Sequence, residues 1–221
     1  MRHGIFVTGT DTGVGKTVVS AAVMIRYRPL GSLRYWKPIQ TGVEKDNDTF
    51  EVRHLAELRE METLDAGVRL PRPVSPHLAA RWAGETIRIQ ALTELLDLRD
   101  PTERWIVEGA GGVLVPVNDT ELMIDLICAL ELPVLVVARS SLGTINHTLT
   151  TLEALRSRGL SVAGIVMVGD RNHENRCAIE RYGGVGVLGE MPRFDQLTAE
   201  ALVRWATNDF DPDETLLEWI Q

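Results

Sequence analysis

The chain has 221 residues, with 31 acidic side chains against 23 Lys plus Arg and a formal net charge of −8. At 44% apolar and 24% charged residues it has the make-up of an ordinary globular protein long enough for a packed core, which excludes wholly disordered and collagen-like chains. The acidic balance excludes sequence-independent nucleic-acid binding, which draws its affinity from dense Lys and Arg on phosphates. In chain order, Met1-Arg2-His3-Gly4 lacks the basic stretch, long apolar segment and cleavage site of a signal peptide, and leads into the apolar strand Ile5-Phe6-Val7. A helix follows over Val18 to Met24, then a short strand Leu33-Arg34-Tyr35. Asn47 or Asp48 reads equally as a helix N-cap, and Leu70 to Pro76, with three prolines, reads as an irregular connection. Ile87, Ala91, Leu92, Leu95, Leu96 and Leu98 mark a helix. The runs Trp105-Ile106-Val107, Val134 to Val137, Ile165 to Val168 and Val185-Gly186-Val187-Leu188 lack polar alternation, as expected of strands covered on both faces. Between two of them, Ile145, Leu149, Leu152 and Leu155 recur at helical spacing within Thr144 to Arg158, with Gly159 as its C-cap. Leu216, Leu217, Trp219 and Ile220 in the acidic tail are spaced for a short docked helix.

Strands alternating with helices imply right-handed crossovers and a single-domain α/β fold, a doubly wound, mostly parallel sheet with helices on both faces. No repeat or linker divides the chain, so one domain over 1–221 is expected. No apolar run approaches the about 20 residues that cross a bilayer. Cys128 and Cys177 form no CxxC pair, which argues against a disulfide framework or Cys-based zinc site and for a reducing cytoplasm.

Directly after the first strand comes Thr8-Gly9-Thr10-Asp11-Thr12-Gly13-Val14-Gly15-Lys16-Thr17, opening a helix. Strand, glycine-rich turn and helix amino terminus make this a P-loop, a variant one because Thr10 stands where the first glycine is usual. Backbone N–H groups wrap a phosphate there, the helix dipole favours its charge, Lys16 reaches the terminal phosphates and Thr17 offers its hydroxyl to Mg²⁺. Magnesium also wants carboxylate oxygens. Glu108 is the better candidate, since it closes an apolar strand and begins Glu108-Gly109-Ala110-Gly111-Gly112 at the sheet edge where such folds bind ligands. Asp48 competes with its capping role. Lys37, before Pro38, is either a second phosphate-site cation or an exposed surface lysine.

These segments, with Trp36-Lys37-Pro38, Thr41-Gly42, Ser75-Pro76-His77, Leu142 to His147 and Leu188-Gly189-Glu190-Met191-Pro192, resemble the dethiobiotin synthetases, in that family's order and over nearly the whole chain. The resemblance implies an ATP-dependent carboxylase and cyclase acting on 7,8-diaminononanoate and CO₂ in biotin synthesis, through a carbamate and its mixed anhydride with phosphate. It implies a homodimer with active sites near the subunit interface. It also implies that Lys16 and Lys37 are catalytic and that Thr17, Asp48 and Glu108 bind Mg²⁺. Thr12, Gly13, Val14, Gly15, Gly109, Ala110, Gly111 and Pro192 would contact ATP, the last at the base. Thr41 would touch the diamine or carbamate. Gly143, Thr144, Ile145 and Asn146 would take the substrate carboxylate at a helix amino terminus, or Thr144 simply caps that helix. His147 is given no catalytic part, and Ser75 and His77 shape a turn near the substrate.

One departure concerns the base. Val168, followed by Gly169, stands where the family commonly has an Asn that reads adenine, and an apolar side chain offers no amide donor and acceptor. Weaker discrimination among nucleoside triphosphates is therefore expected, unless Asp170, Asn172 or backbone groups substitute. Two competing readings are a partition-type switch ATPase, which carries a Lys where this chain has Asp11, and a cobyrinate-type amide synthetase, which needs a glutaminase domain for which 221 residues leave no room.

Overall fold

A computed structural model describes residues 2–220; Met1 and Gln221, the ends of the expected domain, lie outside the described residues. In chain order the elements are β1 His3–Gly9, α1 Lys16–Tyr27, β2 Leu33–Trp36, β3 Ile39–Thr41, α2 Asp48–Leu55, β4 Thr63–Leu64, β5 Val68–Leu70, α3 Pro76–Ala83, α4 Ile89–Asp97, β6 Arg104–Gly112, α5 Met123–Leu130, β7 Val134–Arg139, α6 Thr144–Ser157, β8 Val162–Val168, α7 His173–Gly183, β9 Val187–Met191, α8 Ala199–Asn208 and α9 Leu217–Ile220. Seven strands form one sheet in the order β4-β2-β6-β1-β7-β8-β9, every neighbouring pair parallel. Strands β3 and β5 make a second, two-stranded parallel sheet.

The apolar strand runs bury both faces of the large sheet. On one side α1, α2, α8 and α9 pack over Ile5, Val7, Ile106 and Leu135. On the other, α3 to α7 pack over Phe6, Trp105, Val107 and Val136. The fold is thus a doubly wound α/β sheet with helices on both faces. Because all seven strands run the same way, their carboxyl ends share one edge, and the loops there gather the candidate residues. Among the described residues no helix is long and apolar enough to cross a membrane.

Several boundaries differ from the sequence reading. Helix α1 begins at Lys16 rather than Val18, because Gly15 takes φ +100° and turns the chain into the helix without a side-chain cap. Glu108 does not end its strand: β6 runs on to Gly112, paired with β1 through a register shift between Val7 and Gly9. The last strand starts at Val187, two residues after Val185. Helix α4 starts at Ile89, with the buried Ile87 ahead of it. The proline-rich connection is shorter than expected, since Leu70 closes β5 and Pro76 opens α3. A proline in the first helical turn forfeits no hydrogen bond, so it starts this helix instead of breaking it. The short terminal helix is present, with Leu216 and Ile220 buried against α1's side of the sheet.

Candidate active site

The P-loop leaves β1 and enters α1 with the helix's first N–H groups uncapped by any side chain. These are the groups that receive an anion at a helix amino terminus. Lys16 folds over the loop and donates to the Asp11 carbonyl at 3.1 Å. Burial, and then the nearby charge of Lys37, lower its pKa to about 8. Asp11 accepts from the Thr12 N–H at 2.7 Å and pairs with Arg139 at the end of β7. The loop is therefore tied to the neighbouring strand, by an acid at the position where partition ATPases carry Lys.

Lys37 is buried, with 3% of its surface exposed, which settles the surface-lysine alternative. Its Nζ donates to Glu108 Oε1 at 2.8 Å and to the Gly109 carbonyl at 3.0 Å, and lies 2.6 Å from Asp48 Oδ2. Burial works against its charge, but Glu108 and Asp48 outweigh burial and the pKa is raised. The Arg69 guanidinium donates to the Lys37 carbonyl at 2.9 Å and the Trp36 indole N–H to the Ala66 carbonyl at 2.7 Å, fixing the turn from which Lys37 projects.

Glu108 is wholly buried. Its Oε1 also accepts from Thr17 Oγ1 at 3.1 Å, and its Oε2 accepts from the Tyr35 hydroxyl at 2.9 Å. Asn47, not Asp48, caps α2, its side chain accepting from the Phe50 N–H at 2.9 Å. Asp48 is left as the first helical residue, its N–H donating to Gln40 Oε1 at 3.3 Å and its carboxylate turned to Lys37.

Around this cluster lies a cavity of about 580 Å³ lined by Thr12, Gly13, Gly15 and Thr41 besides the two lysines, Thr17 and the two acids. Ala110, Gly111, Ser75 and Glu51 also line it. Glu51 has its pKa raised by burial and then by Asp48 and Glu108. Thr17, Asp48 and Glu108 offer hard oxygen donors side by side. Among the described residues no group of three or more His, Cys, Asp or Glu is assembled for a metal. Two carboxylates and a hydroxyl nevertheless fit Mg²⁺, whose octahedron is ordinarily completed by phosphate oxygens and water.

Other expected residues lie apart. The Val14 side chain is in the core, and Pro192 is exposed just beyond β9. Gly143, Thr144, Ile145 and Asn146 do not line the cavity. Gly143, with φ +93°, occupies the N-cap position of α6 in place of Thr144, which is buried as the first helical residue. Asn146 and His147 instead line a neighbouring groove with Thr10, Asp11, Thr12 and Leu114. His77 faces a separate, larger cavity, of about 820 Å³, between α3 and α4, whereas Ser75 and Pro76 face the lysines.

At the carboxyl end of β8, Val168 packs against the P-loop: a Cβ on Gly15 would stand 3.3 Å from its methyls. Gly169, at φ +128°, has no room for a side chain, as a Cβ would meet Ser140 Oγ at 2.5 Å. Asn172 uses its amide oxygen to cap α7, and the Asn175 amide donates to the Ser140 carbonyl at 2.9 Å. The motifs did not single out Tyr35, Gln40, Arg69 or Glu51. Only Tyr35 carried a signal, being two residues before Lys37 and so on the same face of an extended chain.

A family model described as an AAA domain matches residues 3–201. The chain is 48% identical over 200 residues to the ATP-dependent dethiobiotin synthetase BioD of Paramagnetospirillum magneticum, covering 90% of this chain and 93% of that protein. It is 41% identical over 214 residues to the protein of the same name from Brucella melitensis biotype 2, covering 97% of each. Among solved structures it is similar to a ParA family ATPase from Chlorobium tepidum TLS, with a TM-score of 0.58, 11% identity and coverage of 93% and 98% of the two chains. It is also similar to the septum site-determining protein MinD complexed with Mg-ADP from Pyrococcus horikoshii OT3, with a TM-score of 0.57, 14% identity and coverage of 93% and 95%. At such identities the structural likeness speaks for the fold alone.

Proposed function

The chain belongs to the ATP-dependent dethiobiotin synthetases, ligases of the P-loop type, and from that premise we propose that it joins CO₂ to 7,8-diaminononanoate and closes the ureido ring of dethiobiotin. One amine takes up CO₂ as a carbamate. A carbamate oxygen then attacks the γ-phosphorus of ATP, releasing ADP and leaving a carbamic–phosphoric anhydride. The second amine attacks the carbonyl carbon, and phosphate departs.

The observation that carries this reading is the buried Lys37 ammonium between Glu108 and Asp48, beside Lys16 at the mouth of the P-loop. Two anions, carbamate and triphosphate, must be brought together in a site that contains little water, where their repulsion grows. Mg²⁺, when bound, neutralises phosphate charge and polarises the phosphoryl oxygens. Thr17, Asp48 and Glu108 would hold it. Lys16 and the N–H groups of Thr12, Gly13, Val14 and Gly15 hold the phosphates, with Gly109, Ala110 and Gly111 along the facing strand end and Pro192 at the base. Lys37 stabilises the carbamate and the phosphoryl group in transit, and Thr41 orients the diamine. Ring closure then asks mainly that the second amine be kept near the anhydride.

The enzyme acts as one domain and as a homodimer in the cytoplasm. Gly143, Thr144, Ile145 and Asn146 of a second copy take the substrate carboxylate, a reading supported by their absence from the lining of their own cavity. Val168 leaves the base loosely read.

The test is incubation with diaminononanoate, bicarbonate, Mg²⁺ and ATP, with dethiobiotin sought by mass spectrometry. Product at the mass of the ureido compound is expected. ATP hydrolysis with no product overturns the reading in favour of a nucleotide switch.

A further inference from the structure

Three donors hold the Glu108 carboxylate, and they are not equivalent. Oε1 receives Thr17 Oγ1 and Lys37 Nζ, whereas Oε2 receives only the Tyr35 hydroxyl, at 2.9 Å. Under the reaction just described, on which this inference rests, Thr17 turns to the metal and Lys37 to the carbamate and phosphoryl group. Oε1 then faces the cation with both of its protein donors withdrawn. Tyr35 is engaged nowhere else. Its ring is fully buried on the face shared with Leu33 and Ile106, and its hydroxyl bonds to nothing but Glu108.

We propose that Tyr35 is a positioning residue that keeps Glu108 aimed at the divalent cation once Lys37 and Thr17 have left it. The terminal torsion of a glutamate is broad and nearly two-fold, so a carboxylate held by one oxygen alone turns easily. A donor anchored in the core at one oxygen fixes the plane of the carboxylate, and with it the direction in which the other oxygen presents its lone pairs. Partners of this kind behind a ligand are worth about ten- to a hundredfold in metal affinity. The strand period supplies the geometry: β2 places Tyr35 level with Ile106, so that Glu108, two residues on in β6, is its diagonal neighbour on the same face.

Tyr35→Phe removes a single oxygen. Mn²⁺ binding, measured by electron paramagnetic resonance in the presence of a non-hydrolysable ATP analogue, is expected to weaken about tenfold or more. The KM for Mg²⁺ rises in step, while the KM for the diamine is unchanged and kcat at saturating Mg²⁺ falls less than about threefold. In a Glu108→Gln background the same change adds no further loss of Mn²⁺ affinity, because the tyrosine acts through that carboxylate. A Tyr35→Phe protein that is less stable yet binds Mn²⁺ as the unsubstituted chain does overturns the proposal, as does an equal loss of kcat at every Mg²⁺ concentration.

Should the substituted chain not fold, ¹³C NMR of ring-ζ-labelled tyrosine reads the contact in the unsubstituted protein. The chain has only three tyrosines, and Tyr27→Phe and Tyr182→Phe assign the remaining signal. That signal keeps its hydrogen-bonded position when the metal and analogue bind; a shift to the free position refutes the role. Dethiobiotin formation tests the reaction and metal binding tests the tyrosine, so either can fail alone.

Discussion

Removing the charge of Lys37 affects two things at once. Lys37→Gln keeps a donor of similar length but leaves Glu108 and Asp48 without their counter-charge, and it removes the cation proposed to follow the phosphoryl group. Turnover to dethiobiotin is expected to fall by about a hundred- to a thousandfold, with the far-ultraviolet dichroism of the native fold retained. Stability drops by about 3 kcal/mol, chiefly through the uncompensated charge of the buried Glu108, read by urea denaturation. Near-normal turnover removes Lys37 from the mechanism. At the end proposed to receive the base, Val168 packs against Gly15 and its side chain offers no hydrogen bond, and Asn172 already spends its amide oxygen on a cap. ATP is thus expected to be preferred over CTP and GTP by less than about a hundredfold in kcat/KM, and a larger preference, above about 2.7 kcal/mol, contradicts this. The phosphate lysine was legible because ten contiguous residues specify its loop. The burial of Lys37 was not, because the acids that compensate it come from α2 and from the middle of β6, and a strand-end lysine looks the same with or without them.

The segment between α8 and α9 is fastened to α1 through the Asp211 carboxylate, with Arg26 pairing Glu214 beside it. Asp211 is buried, and its carboxylate accepts from the Tyr27 hydroxyl and from the N–H groups of Thr215 and Leu216, the latter two at 2.9 and 2.8 Å. Burial, reinforced by Asp211, raises the Tyr27 pKa. The folded phenol thus keeps its proton past the pH of about 10 at which an unfolded tyrosine loses it. Its contribution is complete below that pH and is lost as the pH rises toward the folded value. Tyr27→Phe is expected to lower stability at pH 7 by about 1 to 3 kcal/mol and to flatten the decline above pH 10 in denaturation curves; an unchanged alkaline limb assigns that decline elsewhere. Elements of this kind divide cleanly by what the sequence makes visible. The long strands showed themselves as unbroken apolar runs. Strands β3, β4 and β5, of two or three residues each, are too short for a period, and α3 hides behind a proline that its first turn tolerates.

For the assembled protein, the proposed carboxylate site is the part that one chain would leave unfinished. Leu142 is 99% exposed beside Gly143, Asn146 is exposed too, and neither meets the lysines of its own chain. If the chain pairs as proposed, Leu142→Asp is expected to convert the dimer to a monomer in sedimentation velocity and to raise the KM for diaminononanoate at least tenfold, with the KM for ATP little changed. An intact dimer with an unaltered KM places the interface on another surface. The strand order has a further consequence, for the time course of folding. The strand that carries the P-loop sits in the middle of the sheet, yet its partners are Arg104 onward on one side and Val134 onward on the other. Strand β1 is therefore without neighbours until segments about a hundred residues away fold back onto it, and contacts this distant slow folding and expose unpaired strand edges. The phosphate loop therefore cannot take up its place in a finished sheet before both of these distant segments have folded onto it.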